Sequence, residues 1–444
     1  MNCLPPNHTE RRGDRTLLVW GDIPFWTVVD QPAADFIEAL GAGLSPDAAL
    51  EEASTGRTGL RLHRDAAAVI TVLKRAGVIG GRRHGPPPER IESISVNVTS
   101  RCNLSCRFCY NSAHARAGPE VSADEMIVAL ESVRRHTARG AAFALLGGEP
   151  LLEKEKTLAL ARWGRKRRLR PILSTNGLLV DCDFATAAAE TGLECQVSID
   201  GARAESHDDI RGSGTFDQAV RGVRTFVAAG AHTIVSMVFH AGNVAEIPDF
   251  LHMADELGAQ EARFIPIKHV GGGGEYQLPS LVEVIMQVTD ALAAEPKLGK
   301  LLGRDYVSIL AQQCQTCSPR QTCGTGSQTF LLDADGTVYP CINLASSEMA
   351  AGSITREPLA QIWQDSALLR RIREQVRIDV REGSCAQCVV RHWCMGGCRG
   401  ETYAATGRLD RPSVACREHR AAVLEMFWTL ADHPELLRAG PRYC

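Results

Sequence analysis

The sequence predicts an α/β protein: a parallel sheet, open or curled into a partial barrel, with a small winged-helix-like module before it and a cysteine-rich region after it. Three observations carry this reading. Between residues 93 and 300, strand-like and helix-like segments alternate as six βα units, the pattern of a parallel sheet covered by helices. Ahead of them stands Gly85-Pro86-Pro87-Pro88, a stiff linker. From Cys314 onward the alternation stops and cysteine and glycine dominate, as where metal rather than apolar core holds a fold.

The first module, residues 1–84, reads as two strands and three helices. Thr16–Trp20 and Phe25–Val29 are rich in β-branched and aromatic residues. A helix follows with Phe36, Ile37 and Leu40 on one face. Ser45-Pro46 supplies a cap and a first-turn proline for a second helix, Asp47–Ala53, and a third, Asp65–Ala76, stops at Gly77. After the linker, 85–92, strands are expected at Ile94–Val98, Ala142–Leu146, Pro171–Thr175, Glu194–Ile199, Thr233–Phe239 and Ala262–Pro266. Helices lie between them, for example Ala123–His136 and Phe216–Gly230. A barrel domain of 93–300 and a C-terminal domain of 301–444 result.

With 444 residues and 44% hydrophobic side chains, the chain can bury the cores of two or three domains. Its formal net charge of -3 argues against a nucleic-acid or membrane-surface partner. The basic run Arg162–Arg170 reads as the solvated end of a helix. No apolar run approaches the ~20 residues that span a bilayer, and the N-terminus lacks the pattern of a signal peptide, so a cytoplasmic location is expected. In a reducing compartment, 16 cysteines at short spacings point to metal rather than to disulfides.

The first barrel strand runs into Cys102-Asn-Leu-Ser-Cys106-Arg-Phe-Cys109. Three thiolates on one loop can hold a four-iron cluster and leave one iron open to a ligand. A structural zinc would want a fourth Cys or His close by. This spacing resembles the CxxxCxxC signature of the radical S-adenosylmethionine (SAM) superfamily. Gly147-Gly148-Glu149-Pro150 follows the second strand, where the family's GGEP motif binds the methionine amino group. Ser174-Thr-Asn176-Gly and Ser198-Ile-Asp200-Gly follow the third and fourth, at positions where the family contacts ribose and carboxylate. Arg211 resembles the arginine that pairs the cofactor carboxylate, and Phe108 the residue beside the adenine. The resemblance implies a partial (β/α)6 TIM-like barrel with ligands at the C-terminal ends of the strands. It further implies reductive cleavage of SAM to methionine and a 5'-deoxyadenosyl radical, and an electron donor such as a flavodoxin or ferredoxin.

Cys323, Cys341, Cys385-x2-Cys388-x5-Cys394-x3-Cys398 and Cys416 resemble the SPASM domain, which carries two auxiliary 4Fe-4S clusters. By analogy with that family, Cys317, Cys323, Cys341 and Cys398 would hold the first, and Cys385, Cys388, Cys394 and Cys416 the second, so that three clusters serve the chain. Whether Cys317, Cys314 or neither completes the first is left open. Cys3, Cys182, Cys195 and Cys444 fit no pattern and read as plain thiols.

The N-terminal module resembles the peptide-recognition element of ribosomal-peptide maturases. That implies a precursor peptide whose leader adds as a strand beside Phe25–Val29, next to the Asp65–Ala76 helix. The arrangement looks most like maturases that form sulfur-to-α-carbon thioethers; a carbon–carbon link, epimerisation and formylglycine formation are the alternatives. Gly271–Gly274 is expected to be a flexible loop near the substrate entrance. Asp208 and Asp209 lie near the barrel mouth, but no single acid–base residue stands out.

Overall fold

A computed structural model describes residues 2–54, 59–81, 90–111, 118–307, 314, 319–379 and 384–436. The Gly85–Pro88 linker, Cys317 and Cys444 lie outside the described residues.

The N-terminal module has three strands rather than two: β1 (His8–Arg12), β2 (Arg15–Trp20) and β3 (Phe25–Asp30), antiparallel in the order β1-β2-β3. The sequence of β1, His-Thr-Glu-Arg-Arg, has no apolar alternation because it is an exposed edge, so pattern reading passed over it. Helices α1 (Gln31–Gly41), α2 (Pro46–Ala53) and α3 (Gly59–Ala76) follow. The expected cap is present, with the Ser45 side chain accepting from Ala48 N–H and Pro46 opening α2. Strand β2 splits the module's burial. Leu18 and Trp20 pack with Phe36, Ile37 and Leu40 of the module, whereas Leu17 and Val19 join the core of the main body.

The main body is one sheet with the order β10-β9-β8-β7-β6-β5-β4-β11-β12-β13. Its parallel strands are β4 (Ile91–Asn97), β5 (Thr137–Leu146), β6 (Arg170–Thr175), β7 (Glu194–Ser198), β8 (Thr233–Phe239) and β9 (Glu261–Pro266). Helices α4 (Ala123–Ser132), α5 (Lys154–Lys166), α6 (Cys182–Thr191), α7 (Ala204–Arg211), α8 (Thr215–Ala228) and α9 (Ile247–Glu256) supply the crossovers. A capping box, Ser122 with Glu125, starts α4; its helix stops at Ser132 and a 3-10 turn, Arg134–His136, completes the expected span. The basic run ends α5, where Arg167 pairs with Glu131 at 2.8 Å, both partly exposed.

The sheet continues beyond residue 300. Helix α10 (Leu281–Ala294) leads to β10 (Leu302–Val307), parallel to β9. On the opposite edge β11 (Thr329–Leu332) pairs parallel to β4, with Phe330 opposite Ile94, and β12 (Thr337–Tyr339) and β13 (Gly352–Ser353) extend it antiparallel. The cysteine-rich region is therefore hydrogen-bonded into the same sheet as the first cysteine loop.

Candidate iron–sulfur and cofactor site

The five crossovers leave the C-terminal ends of β4–β9 on one rim, and the motif residues gather there. Cys102, Cys106 and Cys109 lie on the loop after β4, each half-buried. Burial pushes the Cys102 thiol up to about 11 and raises that of Cys106, and the nearby Cys109 sulfur adds to both. Left alone Cys102 and Cys106 are neutral thiols, so a bound cation such as cluster iron is what would draw out their protons.

Two glycine pairs grip that loop. At its start, Gly148 N–H donates to the Thr99 carbonyl at 2.9 Å and Glu149 N–H to that of Arg101 at 2.8 Å. A Cβ on Gly147 or Gly148 would fall inside the Thr99 and Arg101 carbonyls. These glycines thus serve the contact between two protein loops. At its end, Gly271 and Gly272 press on the carbonyls of Cys109, Tyr110 and Arg107, and Gly272 N–H donates to the Cys109 carbonyl at 3.0 Å. The expected flexible loop is instead a 3-10 turn, Gly271–Glu275, docked under the cysteines. Only glycine allows that approach. Gly272→Ala is expected to lower occupancy of the first cluster several-fold while sparing the other cysteine groups; iron content and the spectrum of the SAM-bound cluster check it.

Glu149 is buried and takes three protein donors: Leu151 N–H at 2.9 Å, Thr175 Oγ1 at 2.6 Å and Asn176 N–H at 2.8 Å. Burial raises its pKa and those hydrogen bonds oppose the rise. Asn176 also donates through Nδ2 to Asn103 Oδ1 at 2.8 Å, tying the third strand's loop to the cysteine loop. Asp200 is fully buried; it accepts from Val238 N–H at 2.9 Å and is ion-paired with Arg211. Arg211 in turn faces Cys106 and Cys109, and its guanidinium lies 5.8 Å from the Phe108 ring. Phe108 packs with Ile210 and Ile267 and meets Tyr276 edge-on at 5.8 Å. Pro150 is buried at the start of a 3-10 turn, and Ser174 and Ser198 sit half-buried near the ends of β6 and β7.

Sequence reasoning missed the supports behind these groups. Glu120 Oε1 accepts from Thr99 Oγ1, Ser100 N–H and Ser100 Oγ, all within 2.9 Å. The buried His207 accepts Asp200 N–H at Nδ1, with its pKa pressed down to about 4 mainly by burial, so it stays neutral. Asn243 Nδ2 donates to the Asp200 carbonyl at 3.0 Å. Lone polar residues of this kind carry no spacing signal. The two acidic residues near the mouth are both engaged: Asp208 accepts from Gly214 and Phe216 N–H, and Asp209 pairs with Arg107 at 2.7 Å.

Seven of the remaining cysteines fall into two groups, Cys323, Cys341 and Cys398 in one and Cys385, Cys388, Cys394 and Cys416 in the other. Cys341 is half-buried, and desolvation first, then Cys398 and Cys323, push its thiol up to about 12. Cys385, Cys388, Cys394 and Cys416 line one cavity together with Arg391 and Arg420. Cys314 is buried within reach of Cys394, on the side of the second group. Cys3 and Cys195 are buried and donate to nearby carbonyls, and Cys182 is exposed.

A parallel half-barrel with three thiols on the loop after its first strand, and a paired arginine and a buried carboxylate beside them, defines a cluster-dependent enzyme that binds a small ionised cofactor at the strand mouth. The Radical SAM superfamily model matches residues 96–254, and the SPASM iron-sulfur cluster-binding domain matches 323–389. The chain therefore carries a radical SAM domain followed by a SPASM domain. It is similar to the mycofactocin maturase MftC of Mycobacterium tuberculosis, 29% identical over 330 residues that span 73% of this chain and 82% of that one. It is also similar to the AdoMet-dependent heme synthase of Methanosarcina barkeri, 28% identical over 71% of this chain and 93% of that one. Two solved structures share the fold. One is anSMEcpe with bound AdoMet, with a TM-score of 0.63 at 21% identity, covering 78% of this chain and 98% of that one. The other is Streptococcus suis SuiB bound to S-adenosylmethionine, with 0.59 at 14%, covering 90% and 96%. Among the described residues, no helix is long and apolar enough to cross a membrane.

Proposed function

We propose that this enzyme matures a ribosomally synthesised peptide, abstracting a hydrogen from it and closing an intrapeptide link, a thioether from sulfur to an α-carbon or a carbon–carbon bond. The observation that carries this reading is the N-terminal sheet. Among the described residues β3 pairs only with β2 and leaves its outer edge open, while the module is packed onto the radical SAM and SPASM body through Trp26 and Val28. An open strand edge accepts an extended peptide through main-chain hydrogen bonds. That MftC is a maturase, and that SuiB has been solved bound to precursor peptide SuiA, supports a peptide substrate.

In this reading residues 1–84 bind the leader, 85–92 link, 93–300 carry the radical chemistry and 301–444 hold two auxiliary 4Fe-4S clusters. Cys102, Cys106 and Cys109 hold the first cluster, which, once bound and reduced, supplies the electron that cleaves SAM. Glu149 accepts the methionine ammonium on its remaining lone pair, and Arg211, oriented by Asp200, takes the carboxylate. Gly147, Gly148, Pro150, Ser174, Asn176 and Ser198 shape the rest of the pocket, with Phe108 beside the adenine. Cys323, Cys341 and Cys398 hold one auxiliary cluster, with Cys317 as the fourth ligand in sequence. Cys385, Cys388, Cys394 and Cys416 hold the other. Closing a thioether would break one C–H bond, its hydrogen atom going to the 5'-deoxyadenosyl radical, and one S–H bond, its proton going to water; the auxiliary clusters would take up the one electron left over. A flavodoxin or ferredoxin in the cytoplasm supplies reducing electrons.

The test is the mass of a short peptide encoded beside this gene, after anaerobic co-expression. Loss of two hydrogens per link is expected, with fragmentation assigning the atoms joined. An unchanged mass that takes up one deuterium in heavy water means epimerisation. An aldehyde trapped by a hydrazide means formylglycine. No change of any kind removes the peptide reading for that partner.

A further inference from the structure

The N-terminal sheet also touches the segments that carry three of the second group's cysteines. In the β2–β3 turn, Asp22 Oδ1 accepts from Arg391 Nη2 at 2.6 Å, and Arg391 Nη1 donates to the Cys388 carbonyl at 3.1 Å. The Arg391 side chain is 14% exposed and lines the same cavity as the four cysteines. Gly21 packs so closely on Val389 that an added Cβ would lie 2.7 Å from its carbonyl oxygen. Farther along the hairpin, Trp26 stacks on Phe427 at 4.7 Å, and Phe427 meets Trp393, the neighbour of Cys394, edge-on at 5.0 Å. The Trp26 indole also donates to the Cys314 carbonyl at 2.9 Å. On β1, Arg12 pairs with Glu425 at 2.8 Å and lies 4.8 Å from the Trp428 ring centre, both on the helix that begins at Cys416.

We propose that the N-terminal module is a wall of the second auxiliary cluster's housing, and that Arg391, held in place by Asp22, is the positioning residue through which this wall sets the cluster's reduction potential. The proposal rests on the assignment of Cys385, Cys388, Cys394 and Cys416 to a cluster and is independent of leader binding. A cation fixed beside a cluster in a partly desolvated cavity favours the added electron, because net charge, hydrogen bonding and exposure set iron–sulfur potentials. Asp22 removes part of that charge and pins the guanidinium's long side chain in one direction. A strand added on the β3 edge would therefore act on the hairpin that grips the cluster's loops.

The experiment is an EPR-monitored redox titration of the reconstituted full chain. Arg391→Gln is expected to shift the second auxiliary cluster's reduction equilibrium about tenfold toward the oxidised form, ~59 mV for a one-electron couple. Arg391→Lys, which keeps the charge, is expected to recover most of the shift. Asp22→Asn is expected to raise the potential, and by more with Arg391 present than in the Arg391→Gln background. An unchanged potential in Arg391→Gln at wild-type iron content overturns the proposal, as does an Asp22→Asn effect of equal size in both backgrounds. If Arg391→Gln fails to retain the cluster, an Asp22→Asn chain with wild-type potential is the overturning result. No second auxiliary signal in the wild-type chain overturns the cluster assignment itself, before any variant is compared.

Discussion

Cys106→Ala is expected to abolish SAM cleavage, to below about one thousandth of the wild-type rate, while leaving the rest of the chain's iron in place. Two thiols remain on the loop, and a four-iron cluster held by two protein ligands is lost rather than weakened. Iron content is expected to fall by about four per chain. The glycine pairs at 147–148 and 271–272 still hold the loop backbone, so the fold survives and the loss is chemical. The informative contrast is Cys394→Ala. Cys394 is half-buried and lines one cavity with Cys385, Cys388 and Cys416 that holds none of the first loop's cysteines, so its loss is expected to spare SAM cleavage and to stop peptide product. Production of 5'-deoxyadenosine by Cys106→Ala at more than a few per cent of wild type would remove this loop from the radical chemistry.

The two variants separate parts of the protein that differed in how legible they were. The parallel strands of the barrel read directly as apolar runs because both faces are buried, as in Thr233–Phe239, where only Val238 is even half-exposed. The first cysteine loop was equally plain, since its ligands are local. Long-range pairing was not. Nothing in Thr329–Leu332 says that it will lie parallel to β4, more than 200 residues earlier in sequence, and register the cysteine-rich region onto the barrel. Strand β1 was invisible because its side chains face water. The run Gly271–Gly274 was seen but misread. A glycine stretch signals either freedom or close approach, and only the position of the Arg107 and Cys109 carbonyls decides between them. The division of the cysteines into two groups was carried by family resemblance rather than by spacing, and Cys385, Cys388, Cys394 and Cys416 line one cavity.

Arg211→Met is expected to destabilise the chain by about 3–5 kcal/mol, the cost of stranding a buried carboxylate. The arithmetic turns on burial. The side chains of Arg211 and Asp200 are 11% and 0% exposed, whereas Arg377 and Asp379, paired at 2.6 Å, are 46% and 43% exposed. The exposed pair gains little over water and is worth about 0–1 kcal/mol, so Arg377→Met serves as the control. For Asp200 no water replaces the lost guanidinium. Among the described residues Val238 N–H is the one other donor to its oxygens, and one neutral donor falls well short of solvating a charge. Changing both members, Arg211→Met with Asp200→Asn, removes the stranded charge and is expected to recover much of the loss. SAM affinity then separates the pair's two roles. If Arg211 takes the cofactor carboxylate, the double variant regains its urea midpoint and still binds SAM at least tenfold more weakly than wild type. If both stability and affinity return together, Arg211 is a strut between α7 and the loop after β7, and the carboxylate is held elsewhere.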